Sequence, residues 1–71
     1  MEVIVVDSRK IGKRLVELRG NKSQDVVAKA CGISVSALSM YEQGNRVPRD
    51  EIKLKLSEYY RTSVQALFFT A

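Results

Sequence analysis

The 71-residue chain contains no histidine and a single cysteine, Cys31. A structural zinc site needs several Cys or His ligands, so none can be assembled, and one thiol cannot close an internal disulfide. The same shortage weighs against an enzyme. No histidine base stands ready to pair with a serine, no cluster of metal ligands occurs, and no glycine-rich loop could cradle a phosphate. No catalytic residue, metal or cofactor is therefore expected. Long apolar runs are missing too: the N-terminal MEVIVV is far shorter than a membrane span of about 20 residues and carries an acid at Glu2, unlike a secretory leader. The expected location is the cytoplasm, with no membrane partner. There is no repeat and no low-complexity segment.

With neither disulfide nor metal to staple it, a chain of this size must be held by helix packing, near the limit at which one core suffices. Cys31 falls on an inward helical position, where a free thiol acts as a small hydrophobe. The charge is modestly basic, +4 from 12 Lys and Arg against 8 Asp and Glu. Its distribution says more than its total. Arg9, Lys10, Lys13, Arg14, Arg19 and Lys22 crowd the first third, and Arg46 and Arg49 follow later. Such clustering suits an anionic partner. Lys53 and Lys55 read instead as an ordinary solvated pair.

Between those two groups of cations lies QDVVAKACGISVSALSMYEQG, residues 24–44. Val27, Ala28 and Cys31 share one helical face, Gly32 interrupts, and Ile33, Leu38 and Tyr41 supply a second apolar stripe. A glycine here can take positive φ without steric cost and so close the first helix. Ser34 follows as an N-cap, and Ile33 with Leu38 has the spacing of a hydrophobic staple. Two helices at a large angle, joined by a tight turn, are predicted.

These residues resemble the helix-turn-helix of the lambda-repressor-like family, the Xre and Cro-type DNA-binding domains. The resemblance is carried by Ser23-Gln24, Ala28, Gly32-Ile33-Ser34, Leu38-Ser39, Tyr41-Glu42, Gly44 and Pro48 at their mutual spacings, and it covers residues 11–69. It implies an ion pair between Arg19 and Glu42 that ties the first helix to the recognition helix. The connection before Ser23 is shorter than in many relatives, which leaves Arg14 as a second candidate for that pair.

Around the motif, Ile11, Leu15 and Leu18 repeat at i, i+4 and i+7, predicting a first helix over residues 8–19 with these three on its buried stripe, ended by Gly20-Asn21. Ser23 caps the second helix. Residues 45–49 form a loop that Pro48 prevents from becoming helix. Residues 52–56 alternate as a strand would, but extension to Tyr60 restores helical spacing for Ile52, Leu56, Tyr59 and Tyr60, so a fourth helix capped by Asp50 is expected. Thr62 or Ser63 caps a last helix with Val64, Leu67 and Phe68. The fold class is all-α: a five-helix lambda-repressor-like domain over residues 8–71, preceded by an arm at 1–7. That arm includes a β-branched run at residues 2–6 with strand composition. It could pair with its counterpart in a second subunit, augment a partner's sheet, or fray.

The second motif helix, residues 34–43, would enter the major groove of double-stranded DNA. Opposite its buried Leu38 and Tyr41 it presents Val35, Ser36, Ser39, Met40 and Gln43, which the resemblance implies are the base readers and their phosphate-contacting neighbours. Positions 35, 36, 39 and 40 hold no Arg, Lys, Asn or Glu for strong bidentate contacts. Val35 and Met40 suit thymine methyls, the serines suit base edges or phosphates, and Gln24 could reach in from the second helix. Asn45, Arg46 and Arg49, with the amides behind Ser23 and Gln24, are candidates for phosphate. Ser34 completes the candidate DNA-contacting set. Modest discrimination per half-site calls for a homodimer on an inverted repeat with half-sites about 34 Å apart. Its surface would come from Leu67, Phe68 and Phe69, from the loop near Val47, or from the arm. The function expected is a sequence-specific DNA-binding transcriptional regulator, a dimeric repressor of phage or mobile-element type. The alternative is an antitoxin or protein-binding adaptor with the same fold, its protein partner docking on Val3 to Val6.

Overall fold

The structure is a computed structural model that describes residues 7–69. The strand expected at residues 2–6 lies outside the described residues. Five helices follow one another: α1 (Ser8–Arg19), α2 (Gln24–Cys31), α3 (Val35–Glu42), α4 (Asp50–Tyr60) and α5 (Val64–Phe68). No strand occurs among the described residues, so the alternation at residues 52–56 is overridden by the longer helical period.

Short polar side chains begin four of the helices by accepting the otherwise orphaned first-turn amides. The Asp7 carboxylate takes the amides of Arg9 and Lys10 at 3.0 and 3.3 Å. Ser23, Ser34 and Ser63 take those of Val26, Ala37 and Ala66 at 3.2, 3.0 and 3.0 Å. The fourth helix departs from expectation. Its N-cap is Arg49, which gives no side-chain cap, and Asp50 is the first helical residue. Asp50 and Glu51 therefore act through charge, two acids at the positive end of the helix dipole.

Gly32 occupies the left-handed region at φ 67°, ψ 31°. The amide of Ile33 then reaches the Ala28 carbonyl at 2.9 Å and that of Gly32 reaches Lys29 at 3.2 Å, the bond pattern of a Schellman closure. The chain reverses within two residues and starts α3 at Val35.

The core comprises Ile11, Leu15, Val27, Ala28, Cys31, Leu38, Tyr41, Leu56, Leu67 and Phe68, with Ile33, Ala37, Ile52, Tyr59, Tyr60 and Val64 packed at its margin. The Cys31 thiol lies inside it, and burial raises its pKa. One expected core position fails: Leu18 is 40% exposed. The inward place on the last turn of α1 goes to Arg19, whose guanidinium reaches across to α3, while Leu18 borders a shallow groove with Arg14, Glu17, Thr62, Ala66 and Leu67.

Helices α1 and α3 approach each other closely at Gly12. A Cβ there would fall well inside van der Waals contact distance of the Glu42 carbonyl oxygen and 2.9 Å from that of Tyr41. Both obstacles are backbone and cannot swing aside. Replacing a helical glycine by alanine ordinarily gains up to about 1 kcal/mol in propensity, whereas overpacking of this kind costs about 1–3 kcal/mol; the clash wins because α1 would have to leave α3. Gly12→Ala is expected to lower stability by about 2 kcal/mol, on the order of 10 °C in Tm for a domain this small. A thermal melt with an unchanged or raised Tm would contradict the close approach.

Candidate nucleic-acid interface

Helix α3 carries one ionisable group besides the phenol of Tyr41, the carboxyl of Glu42, and the fold draws it inward. Glu42 is only 9% exposed. Its carboxylate accepts from Arg19 Nε at 2.8 Å and Nη2 at 3.2 Å, and from Gln24 Nε2 at 2.7 Å. A buried carboxylate is tolerable only when it is paired and hydrogen-bonded; here one residue from α1 and one from α2 meet that need. The hydrogen bond to Glu42 is also the largest influence raising the Arg19 pKa. Arg19 therefore fills the role implied for it, despite the short connection, and a third bond from its Nη1 to the Lys22 carbonyl at 2.8 Å shows how: the short loop wraps around the guanidinium. Arg14, the other candidate, donates from Nη1 to the Leu67 carbonyl at 3.1 Å and so ties α1 to α5.

With Glu42 turned in, the outer face of α3 is uncharged. Leu38 and Tyr41 are buried, as their spacing predicts. Val35 is 40% exposed and Met40 39%, Ser36 and Gln43 are exposed, and Ser39 is half-buried. The polar members are linked: Gln43 Nε2 donates to Ser39 Oγ at 2.8 Å, and Asn45 Nδ2 donates to Gln43 Oε1 at 3.1 Å. Ser34 is exposed beside Val35 with its oxygen occupied by the Ala37 amide. Ser23 caps α2 in the same manner. Gln24 is half-buried and engaged with Glu42, so its amide faces α3 at the edge of this surface.

The cations divide into two sets. Several of those conspicuous in the sequence have internal partners: Arg19 as above, Arg14 on α5, and Lys22 over the Tyr59 ring at 4.8 Å from its centroid. Lys53, expected to be solvated, is instead held over the Phe69 ring at 4.9 Å with Asp50 Oδ1 at 3.5 Å. Arg9, Lys10, Lys13, Arg46 and Arg49 remain exposed, as do Lys29, Lys55 and Arg61 elsewhere in the chain. The backbone of Arg9 comes close to Gly44, within 3.0 Å of where a Cβ would sit, which brings the start of α1 against the end of α3. Arg46 and Arg49 are exposed in the loop after α3, one on each side of buried Pro48 in the chain. An uncharged, partly apolar helix face with cations at its end is therefore the feature that the fold assembles from separate parts of the chain. Gly12 is the residue that the sequence pattern does not single out; a glycine within the stripe of the first helix is its signal.

A turn closed by Gly32 between two eight-residue helices, the second locked to the first helix of the domain by a buried acid, defines the class. The chain belongs to the lambda-repressor-like, Xre-type helix-turn-helix family of DNA-binding regulators; the helix-turn-helix family model matches residues 13–67, more than half of the chain. Among solved structures it is similar to the restriction-modification controller protein C.AhdI from Aeromonas hydrophila. The two are 34% identical with a TM-score of 0.78, over 87% of this chain and 97% of that one. Among curated proteins none matches the chain significantly. No described helix is long and apolar enough to cross a membrane.

Tyr60 lies near the Glu42 charge, with its hydroxyl buried and making no hydrogen bond among the described residues. Burial, and next the negative charge of Glu42, push its pKa up to about 12. An unfolded tyrosine ionises near pH 10. Below that pH the group is neutral in both states; as pH climbs from about 10 toward 12 the unfolded state loses its proton first and stability falls. Tyr60→Phe removes both the unpaired hydroxyl and this titration. The variant should be at least as stable at pH 8 and should lose less stability than the parent between pH 9 and pH 11, read as urea midpoints. Parallel losses in the two proteins would show that Tyr60 is not the group concerned.

Proposed function

We propose that the chain is a sequence-specific transcriptional regulator that binds double-stranded DNA as a homodimer, with α3 as the recognition helix in the major groove. The observation that carries this reading is the uncharged outer face of α3, with exposed Arg46 and Arg49 in the loop that follows it and the backbone of exposed Arg9 against Gly44 at its end. The groove floor is apolar and hydrogen-bonding while its rims are anionic, and the distribution of side chains mirrors that division. Val35, Ser36, Ser39 and Met40 face bases. Ser23, Gln24, Ser34, Gln43, Asn45, Arg46 and Arg49 face phosphates or orient the readers. Of residues 1–7, proposed as an arm outside the domain at 8–71, Asp7 belongs with the domain because its carboxylate caps α1. Similarity to a restriction-modification controller protein supports a regulator of that kind, a repressor serving a restriction-modification module or another phage or mobile element.

The second copy is assigned to the α4–α5 surface. Of the residues expected there, Leu67 and Phe68 are buried in the core, but Phe69 and Val47 are exposed and Leu54, at 55%, is the most exposed of the large apolar side chains. Leu54, Val64 and Phe69 line a groove with Asp50 and Lys53. Apolar residues flanked by one acid and one base make a self-complementary patch, as a two-fold contact requires. Half-sites read without bidentate contacts need such pairing to reach useful specificity.

Two measurements test this reading. Selection of bound duplexes from a randomised pool should recover an inverted repeat, and Arg46→Ala should weaken binding to every duplex while reducing the salt slope by about one unit. An unchanged slope would remove Arg46 from the phosphate rim. Leu54→Lys should sediment as a monomer with lowered operator affinity, whereas truncation of residues 1–6, which spares the Asp7 cap of α1, should leave the dimer intact; the reverse pattern would move the interface from α4–α5 to the arm.

A further inference from the structure

The exposed surface of α3 has an unusual chemical consequence. Val35 and Met40 contribute its two large apolar side chains, and Ser36 stands between them, one residue after Val35 and one turn before Met40. The Ser36 hydroxyl makes no hydrogen bond among the described residues, so it rotates freely and can either donate or accept. Ser39 differs, since it is half-buried and its oxygen already accepts from Gln43. No charged or amide side chain projects from the same turns of α3.

In the major groove a thymine is distinguished by its C5 methyl and by an acceptor at O4. A cytosine has a donor at N4 and no methyl. Discriminating the acceptor from the donor requires a side chain of fixed hydrogen-bond polarity, and Val35, Met40 and Ser36 supply none. What they sense is the methyl. 5-Methylcytosine carries the same methyl at the same ring position as thymine.

Resting on the DNA-binding reading above, we infer that the Val35–Ser36–Met40 face reads C5-methylated pyrimidines as a class, so that methylation of cytosine at C5 within a half-site strengthens operator binding. The chain is thereby a methylation-responsive regulator. Thymine and 5-methylcytosine are interchangeable to it at the contacted positions, and unmethylated cytosine is the disfavoured base.

The test uses the full chain and the duplex recovered by selection, with the pyrimidines of one half-site replaced in turn. Replacing thymine by deoxyuridine removes the methyl alone and should weaken binding by about fourfold for each contacted methyl, the transfer value of one buried carbon. Placing a C·G pair at the same position should weaken binding, and methylating that cytosine at C5 should restore about fourfold. The double variant Val35→Ala, Met40→Ala should bind thymine and deoxyuridine duplexes alike with an unchanged salt slope; both side chains are about two-fifths exposed, so their truncation leaves the core in place. An enriched operator whose affinity ignores both methyl changes would overturn this inference alone. A protein that enriches no sequence would overturn the regulator reading, and this inference with it.

Discussion

The carboxylate of Glu42 is the point on which the arrangement depends. It sits at the last helical residue of α3, nearly out of solvent, and its acceptors are met by Arg19 from α1 and Gln24 from α2. A buried acid left without partners is so unfavourable that the three helices are coupled through it. The close passage of α1 over α3 at Gly12 acts at the same place, since the backbone it touches is that of Tyr41 and Glu42. Two unlike interactions, one ionic and one steric, hold the same end of the same helix. The opposite end is held by the Gly32 closure and the Ser34 cap. An eight-residue helix would be marginal alone. Fixed at both ends, it becomes a rigid element whose outer face is presented in one orientation.

Holding Glu42 inside has an electrostatic effect as well. A free acid on α3, the proposed recognition helix, would repel the phosphates of bound DNA; pairing it with Arg19 removes that charge from the surface at the cost of one cation. The outer face of α3 is left neutral, while cations of the first helix and of the loop after α3 stay exposed. In the proposed complex, attraction to the anionic backbone and discrimination among bases fall to different residues, with long-range steering by Arg and Lys and short-range fit by Val, Ser and Met.

Most of the fold is legible in the sequence because its signals are local. Ser23, Ser34 and Gly32 specify the turn through caps and a left-handed residue, and the stripes of α2 and α3 need no knowledge of distant partners. What was less legible depended on contacts between remote segments. Leu18 satisfies the period of α1, yet the inward site on that turn belongs to Arg19 because Glu42, 23 residues away, requires it. Lys53 looks solvated until α5 brings Phe69 beneath it. Asp50 has the chemistry of a cap, but the extended backbone after Pro48 places the helix start one residue earlier, so its charge serves the dipole instead. The candidate DNA face was readable as a set of positions; the diversion of Arg14, Arg19 and Lys22 into internal contacts, and the link from Asn45 through Gln43 to Ser39, required the three-dimensional arrangement.

The central claim is that a helix locked through Glu42 presents Val35, Ser36 and Met40 to the floor of the major groove. Amide and methyl chemical-shift mapping of the isotopically labelled protein against its selected operator tests this most directly. The account predicts that the largest changes fall on the Val35 and Met40 methyls and the Ser36 amide. Smaller changes are expected at Asn45, Arg46 and the start of α1, and the Glu42 amide should stay near its free position. Shifts concentrated on other surfaces, with Val35 and Met40 unmoved, would contradict it.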